Sequence, residues 1–318
     1  MQTLLKTTRA YGLVKREESR GELGHAYLLL FDDPRNLKAA LKTFVKPFFH
    51  CTEEERLSRL IDNETFSDCL FFPKDGKKFT VEDAEAITEE STLKPVEGEK
   101  KAFVIADFAE ATTAAQNKLL KLLEEPPEGV VFLLGATTVY PVLSTVLSRV
   151  KTLEIPPFDA REIENCLLRT YADKYAQSEI ELCSAACGGK LGGAQDMLEG
   201  GAYKALVDEA FSLCLTTAKD LPLLVKKIGD TKRKKELLSL LRMIFRDALV
   251  IKSVGAAKIS LRSERERLYK AAEKYTLPTL VYAQEAISKA ERETFFNANF
   301  PQCLEILIAS VLTQNERI

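Results

Sequence analysis

The chain has 318 residues, with 45 Lys and Arg against 47 Asp and Glu (net charge −2), 46% hydrophobic and 29% charged residues. This length suggests about two domains, or three small ones, with enough core to need no disulfide or metal. The balanced charge excludes a nucleic-acid binder driven by bulk charge. No apolar run can span a bilayer and Met1–Ala10 does not read as a leader, so a cytoplasmic protein with no membrane partner is expected.

In the first half, short apolar runs alternate with longer amphipathic stretches. The runs are Tyr27–Phe31, Cys69–Phe72, Ala102–Ala106, Val130–Leu134 and the weaker Lys151–Ile155. Segments apolar at every position predict strands covered on both faces, as in a parallel sheet. Helix-period segments lie at Pro34–Phe48, Thr80–Leu93, Thr113–Glu125 and Pro141–Ser148, giving the βαβα order of a doubly wound α/β domain. In the third helix, Thr113 and Gln116 predict a capping box, Leu119, Leu120, Leu122 and Leu123 an apolar face, and Pro126-Pro127 a stop.

Beyond Pro156-Pro157 the pattern is wholly helical. Gly188-Gly189, Gly192-Gly193 and Gly200-Gly201 punctuate a small segment, and a larger block ends in a helix around Cys303–Leu312 that is apolar on nearly every side. Three regions are expected: residues 1–157 (α/β), 158–203 (all-α) and 204–318 (all-α). The seven cysteines are scattered, never as CxxC, and His50-Cys51 finds no partners to complete four ligands, so neither a metal nor a cofactor is expected.

The stretch Gln116–Pro127 (QNKLLKLLEEPP) resembles a segment of bacterial clamp-loader subunits, the AAA+ proteins that open the sliding clamp of the replicative polymerase. Gly24–Leu28 resembles the family strand that leads into a P-loop, Ser148-Arg149-Val150 its Ser-Arg-Cys motif, and Asn297–Phe300 with Leu304–Leu307 its C-terminal collar helix. The resemblance covers nearly the whole chain. It implies an AAA+-type α/β domain (1–157), a helical lid (158–203) and a helical collar (204–318). The implied partners are tau/gamma-type ATPase subunits, a clamp-opening delta subunit, the sliding clamp and primer-template DNA.

Three departures concern nucleotide handling. A P-loop needs glycines that let backbone N–H groups reach the phosphates, followed by Lys and Ser or Thr. Here Asp32-Asp33-Pro34 follows the strand, and no glycine lies between Gly24 and Gly76. Lys38 reads as a lysine on a solvated helix face rather than a displaced P-loop lysine. Counted back from Asn117, the family's metal-binding aspartate falls on Ala106, and Gly192 stands for its sensor arginine. Only Cys51 stands near the place of the family's four-cysteine zinc module, where Thr52–Phe66 offers charged helix residues instead.

Arg149 remains. In the family an arginine of this motif, here with Ser148 in support, reaches a neighbour's ATP, and such a finger is worth about 10³–10⁵ in rate in the best-studied GTPases. The competing reading is a surface arginine at a helix C-terminus. The resemblance therefore implies the family's non-hydrolysing member: a brace for the clamp-opening subunit that lends Arg149 in trans. A weakly active ATPase and an adaptor outside replication are the alternatives.

Two further features are read as structural. Glu124 and Glu125 face about 100° apart on a helix and do not converge on a substrate. The segment 219–235 carries seven basic residues against Asp220 and Asp230, but no aromatic residue interleaves it, so it reads as a solvated helix end.

Overall fold

The computed structural model describes residues 1–51, 55–74, 78–201, 203–256 and 259–317. Thr52–Glu54 of the charged segment, Ala202 just before the expected boundary at 203, and the expected region end Ile318 lie outside the described residues, as does Gly76. The chain forms two compact units, Met1–Pro157 and Phe158–Ile318.

The first unit runs α1 (Gln2–Lys6), α2 (Arg9–Arg20), β1 (Ala26–Phe31), α3 (Pro34–Val45), α4 (Arg56–Asp62), β2 (Cys69–Phe72) and α5 (Val81–Ser91). It continues with β3 (Lys101–Ile105), α6 (Thr113–Glu124), β4 (Val130–Ala136), α7 (Ser144–Leu147) and β5 (Lys151–Ile155). All strand pairs are parallel, in the order β2-β3-β4-β1-β5. The three inner strands β3, β4 and β1 are the most continuously apolar because helices cover both their faces. β5, at an edge, buries only Leu153 and Ile155, which explains its weaker sequence signal. The core between β3, β4, α5 and α6 includes the stacked rings of Phe103 and Phe132, 5.5 Å apart.

Two local expectations are corrected. The N-cap of α6 is Thr112, not Thr113: its hydroxyl accepts from Ala115 N at 3.2 Å. Gln116 forms no capping box. Its side chain, 1% exposed, donates to the carbonyls of Ala111 (3.3 Å) and Pro141 (3.1 Å) and accepts from Leu143 N (2.9 Å). Those bonds hold Pro141–Leu143 out of helical conformation, so the helix expected over Pro141–Ser148 shrinks to the single turn of α7.

The second unit contains α8 (Ala160–Tyr171), α9 (Gln177–Ala186), α10 (Leu191–Glu199), α11 (Tyr203–Leu215) and α12 (Leu221–Ile228). α13 (Lys234–Val254), α14 (Arg265–Lys274), α15 (Leu277–Phe295) and α16 (Phe300–Glu316) complete it. Asp159 with Glu162 caps α8, and Thr276 and Asn299 cap α15 and α16, each followed by a proline in the first turn. α16 is not buried all round. Cys303, Leu304, Leu307, Ile308, Val311 and Leu312 form one buried face, while Ile306 is 60% exposed. No described helix is long and apolar enough to cross a membrane.

Candidate functional site

The carboxyl end of β1 is where a phosphate loop would begin, and here it is closed. Only Asp32 and Asp33 separate β1 from α3. Asp33 N donates to the Phe31 carbonyl at 2.8 Å, Asn36 N donates to the Asp33 carbonyl at 3.1 Å, and Asn36 Nδ2 donates to the Asp33 carboxylate at 2.9 Å. Asp33 is 1% exposed. Proline as the first residue of α3 removes one of the free N–H groups that a helix N-terminus would offer to phosphate. A buried carboxylate satisfied from its own helix repels an anion in the same place.

The other expected losses have local explanations. Lys38 Nζ lies 2.8 Å from Glu64 Oε1, which also pairs with Lys42 at 2.8 Å, so it is a cross-linking surface lysine and not a phosphate ligand. Ala106 follows β3 as a buried residue. Next to it, Asp107 adopts a left-handed backbone (φ 50°), and Glu110 pairs with Lys78 at 2.8 Å. Gly192 lies inside α10. Cys51 is half-buried, burial pushing its thiol up to about 11 with further upward push from Glu55. No group of three potential metal ligands occurs among the described residues.

Arg149 lies in the turn after α7. Its Nη1 donates to the Thr145 carbonyl (2.8 Å) and to Ser148 Oγ (3.1 Å), while Ser148 Oγ itself donates to the Thr145 carbonyl (3.0 Å). Its Nη2 donates to Glu124 Oε2 at 3.3 Å. Nε is buried and has no hydrogen-bond partner. Glu124 closes α6, whose late carbonyl of Leu123 meets His25 Nε2 at 3.0 Å. These residues line an open hollow of about 360 Å³. The Leu-Glu-Glu-Pro-Pro sequence thus ends a helix where one of its last carbonyls and its terminal carboxylate meet His25 and Arg149.

Ser148 and Arg149, neighbours in sequence, are hydrogen-bonded to each other. Helical spacing alone gives Glu124 a structural role, and its pairing with Arg149 joins positions 25 apart that such spacing cannot reveal. The same is true of His25. Gln116 carried a signal, a polar residue on the buried face of an otherwise apolar helix. Its partners, however, lie up to 27 positions away.

Residues 6–159 match the family model described as DNA polymerase III, delta subunit. The chain is 29% identical over 169 residues to DNA polymerase III subunit delta' of Bacillus subtilis (strain 168), covering 50% of each protein. It is 29% identical over 185 residues to DNA polymerase III subunit tau of Escherichia coli (strain K12), covering 54% of this chain and 28% of that one. The matched region thus spans half or less of these relatives' lengths. A gamma subunit-related protein of DNA polymerase III from Thermotoga maritima aligns over 97% of this chain and 100% of that one, at 18% identity and a TM-score of 0.44. By the family match over residues 6–159 and the identity to a delta-prime subunit, the first unit belongs to the DNA polymerase III delta and delta-prime subunit family, built on a parallel α/β sheet.

Proposed function

We propose that this chain is a non-hydrolysing cytoplasmic subunit of a clamp loader, one that braces a clamp-opening delta-type subunit and lends Arg149 to the ATP site of a neighbouring tau/gamma-type ATPase. In this reading residues 158–203 act as a lid and 204–318 as an oligomerising collar, and the sliding clamp and primer-template DNA are met within the complex. The observation that carries it is the contrast between a two-residue Asp32-Asp33 junction with a buried, satisfied carboxylate and an arginine whose Nε has no partner.

The chemistry follows from the guanidinium. A planar, always-charged fork gains most when it meets oxygens that accumulate charge during transfer, so its effect falls on turnover more than on binding. Ser148 Oγ and the Thr145 carbonyl hold one nitrogen and fix the plane, leaving little reorganisation for the moment of reaction.

The test is clamp- and DNA-stimulated ATP hydrolysis by complexes reconstituted with wild-type or variant chain at matched assembly. Arg149→Ala is expected to remove about 3–4 kcal/mol of transition-state stabilisation at the adjacent site only, by analogy with loss of one preorganised donor. Total turnover then falls in part, and Arg149→Lys rescues little. Unchanged turnover makes Arg149 a surface residue. Tight Mg-ATP binding by the isolated chain sinks the non-hydrolysing reading.

A further inference from the structure

The basic segment and an aromatic pair far from it in sequence meet at one end of the second unit. α13 and α15 run antiparallel. Phe245 packs its ring on Tyr275, just before α15, with centroids 5.5 Å apart. Further toward the start of α13, Arg242 donates to Ser288 Oγ at 3.1 Å and to Glu291 at 2.7 Å, while its carbonyl accepts from Gln284 at 3.2 Å. Seven residues back from Arg242 is Lys235, and seven on from Ser288 is Phe295, so equal helical rises bring these two to the same level.

α16 ties the same end together. Lys234 Nζ lies 5.6 Å from the ring centroid of Phe300, and a Cβ on Gly229 would stand 2.9 Å from Pro301. Phe296 is four residues from Phe300, within about 14 Å along even a fully extended chain.

The chemistry of this end is unusual for a surface that faces only water. Lys226, Lys227, Lys232, Lys234 and Lys235 are all exposed, and none of them is ion-paired among the described residues. Lys234 and Lys235 occupy the first turn of α13, where the helix dipole disfavours cations. Phe295 and Phe296 are 72% and 78% exposed, their rings edge to face at 5.4 Å. The carboxylates closest in sequence to these side chains include Asp230, Glu236, Glu291 and Glu293, of which Glu291 pairs with Arg242 and Glu293 with Lys289.

We propose that this end of the helical unit binds single-stranded nucleic acid, with the lysines meeting backbone phosphates and Phe295 and Phe296 stacking on unpaired bases. Unpaired cations give charge complementarity to a polyanion, and exposed rings select single strands because a duplex keeps its base faces stacked. The site is separate from Arg149 and does not depend on the role given to that residue.

The experiment is fluorescence anisotropy of the full chain with a labelled oligo-dT of about 16 nucleotides, within the usual site sizes, and with a duplex of the same length. Salt is varied upward from about 50 mM. Three results are expected. The wild type binds the single strand more tightly than the duplex. Phe295→Ala with Phe296→Ala weakens single-strand binding at least about five-fold without changing the salt slope. Lys232→Gln with Lys235→Gln lowers that slope by about 1.4, at 0.7 per phosphate contact.

Circular dichroism melts confirm that the variants fold, as the exposure of the substituted side chains leads one to expect. Arg149→Ala binds like wild type, so failure here is distinct from failure of the finger. Absence of binding at low salt, equal duplex affinity, or indifference to the phenylalanine substitutions overturns the proposal. Loss of assembly with an ATPase subunit on phenylalanine substitution, with no oligonucleotide binding by wild type, makes the face a protein contact.

Discussion

The β1–α3 junction and the Arg149 turn have opposite economies of hydrogen bonding. At the junction a carboxylate is buried and answered from within its own helix, by Asn36. At the turn a guanidinium is anchored through one nitrogen, loosely paired through a second and unanswered at the third. The junction leaves no backbone or side-chain group open to a phosphate, while the turn keeps one open. A buried donor without a partner costs about 1–3 kcal/mol, which an incoming oxygen of the kind proposed for this site would recover.

The sharpest way to break this contrast is through Gln116, which joins α6 to the segment carrying α7. Gln116→Ala leaves the Ala111 and Pro141 carbonyls and Leu143 N without partners and is expected to cost about 2–4 kcal/mol in urea unfolding of the full chain. If the turn depends on that anchor, Arg149-dependent turnover falls with it. Gln116→Glu retains an acceptor for Leu143 N but buries a carboxylate against both carbonyls, so it should cost at least as much.

At the junction, Asp33→Ala removes a buried acceptor and with it the bond from Asn36 Nδ2, with an expected loss of about 1–2 kcal/mol by the same measurement. Asp32→Gly with Asp33→Gly should create no Mg-ATP affinity by calorimetry, because the length of the connection and not charge alone excludes a triphosphate. Measurable ATP binding by that variant breaks the comparison at its first term.

A third handle is the far end of β1. Glu17 accepts from Tyr27 Oη at 2.6 Å and from Lys151, linking α2 to β1 and β5. Burial pushes its carboxyl up, but the bonds from Lys151 and Tyr27 outweigh this and hold it below its ordinary 4.5. A depressed folded value adds stability above pH 4.5 that is lost as pH falls through that folded value. The stability difference between wild type and Glu17→Gln should therefore be full at pH 7, on the order of 1–2 kcal/mol, and shrink in acid unfolding titrations.

The smallest effect belongs to Glu124. Its ion pair with Arg149 is half-exposed, and such pairs are worth about 0.2–1 kcal/mol. Glu124→Gln should free Nη2 and raise turnover of the reconstituted complex by no more than about five-fold. A fall instead means that the carboxylate orients the finger rather than holding it back.

Legibility followed the range of the interaction. Cys69–Phe72 and Lys151–Ile155 read as strands with their observed limits, and the apolar runs located the other three within two residues, because burial on both faces is written into consecutive positions. The capping box slipped by one residue because Thr112 and Thr113 are equal candidates until Gln116 finds its distant partners. Ser148 and Arg149 were visible through a resemblance of motifs; Glu124 and His25 became their neighbours only through folding. The basic segment reads by itself as a solvated helix end, and Phe295 and Phe296, some sixty residues on, carry no local signal that would join them to it.

Gly135 has a consequence for history. It lies on β4 against α3, and a Cβ there would stand 2.6 Å from Leu41 Cδ1. The helix therefore rests directly on the sheet, with no slack to withdraw from the end of β1. Restoring a phosphate loop needs inserted residues, new glycines and a repacked Leu41 together, and none of these changes alone offers selection anything to keep. In the proposed non-hydrolysing role the closed junction therefore works as a ratchet: small changes can refine the turn that carries Arg149 far more readily than they can rebuild a site for ATP.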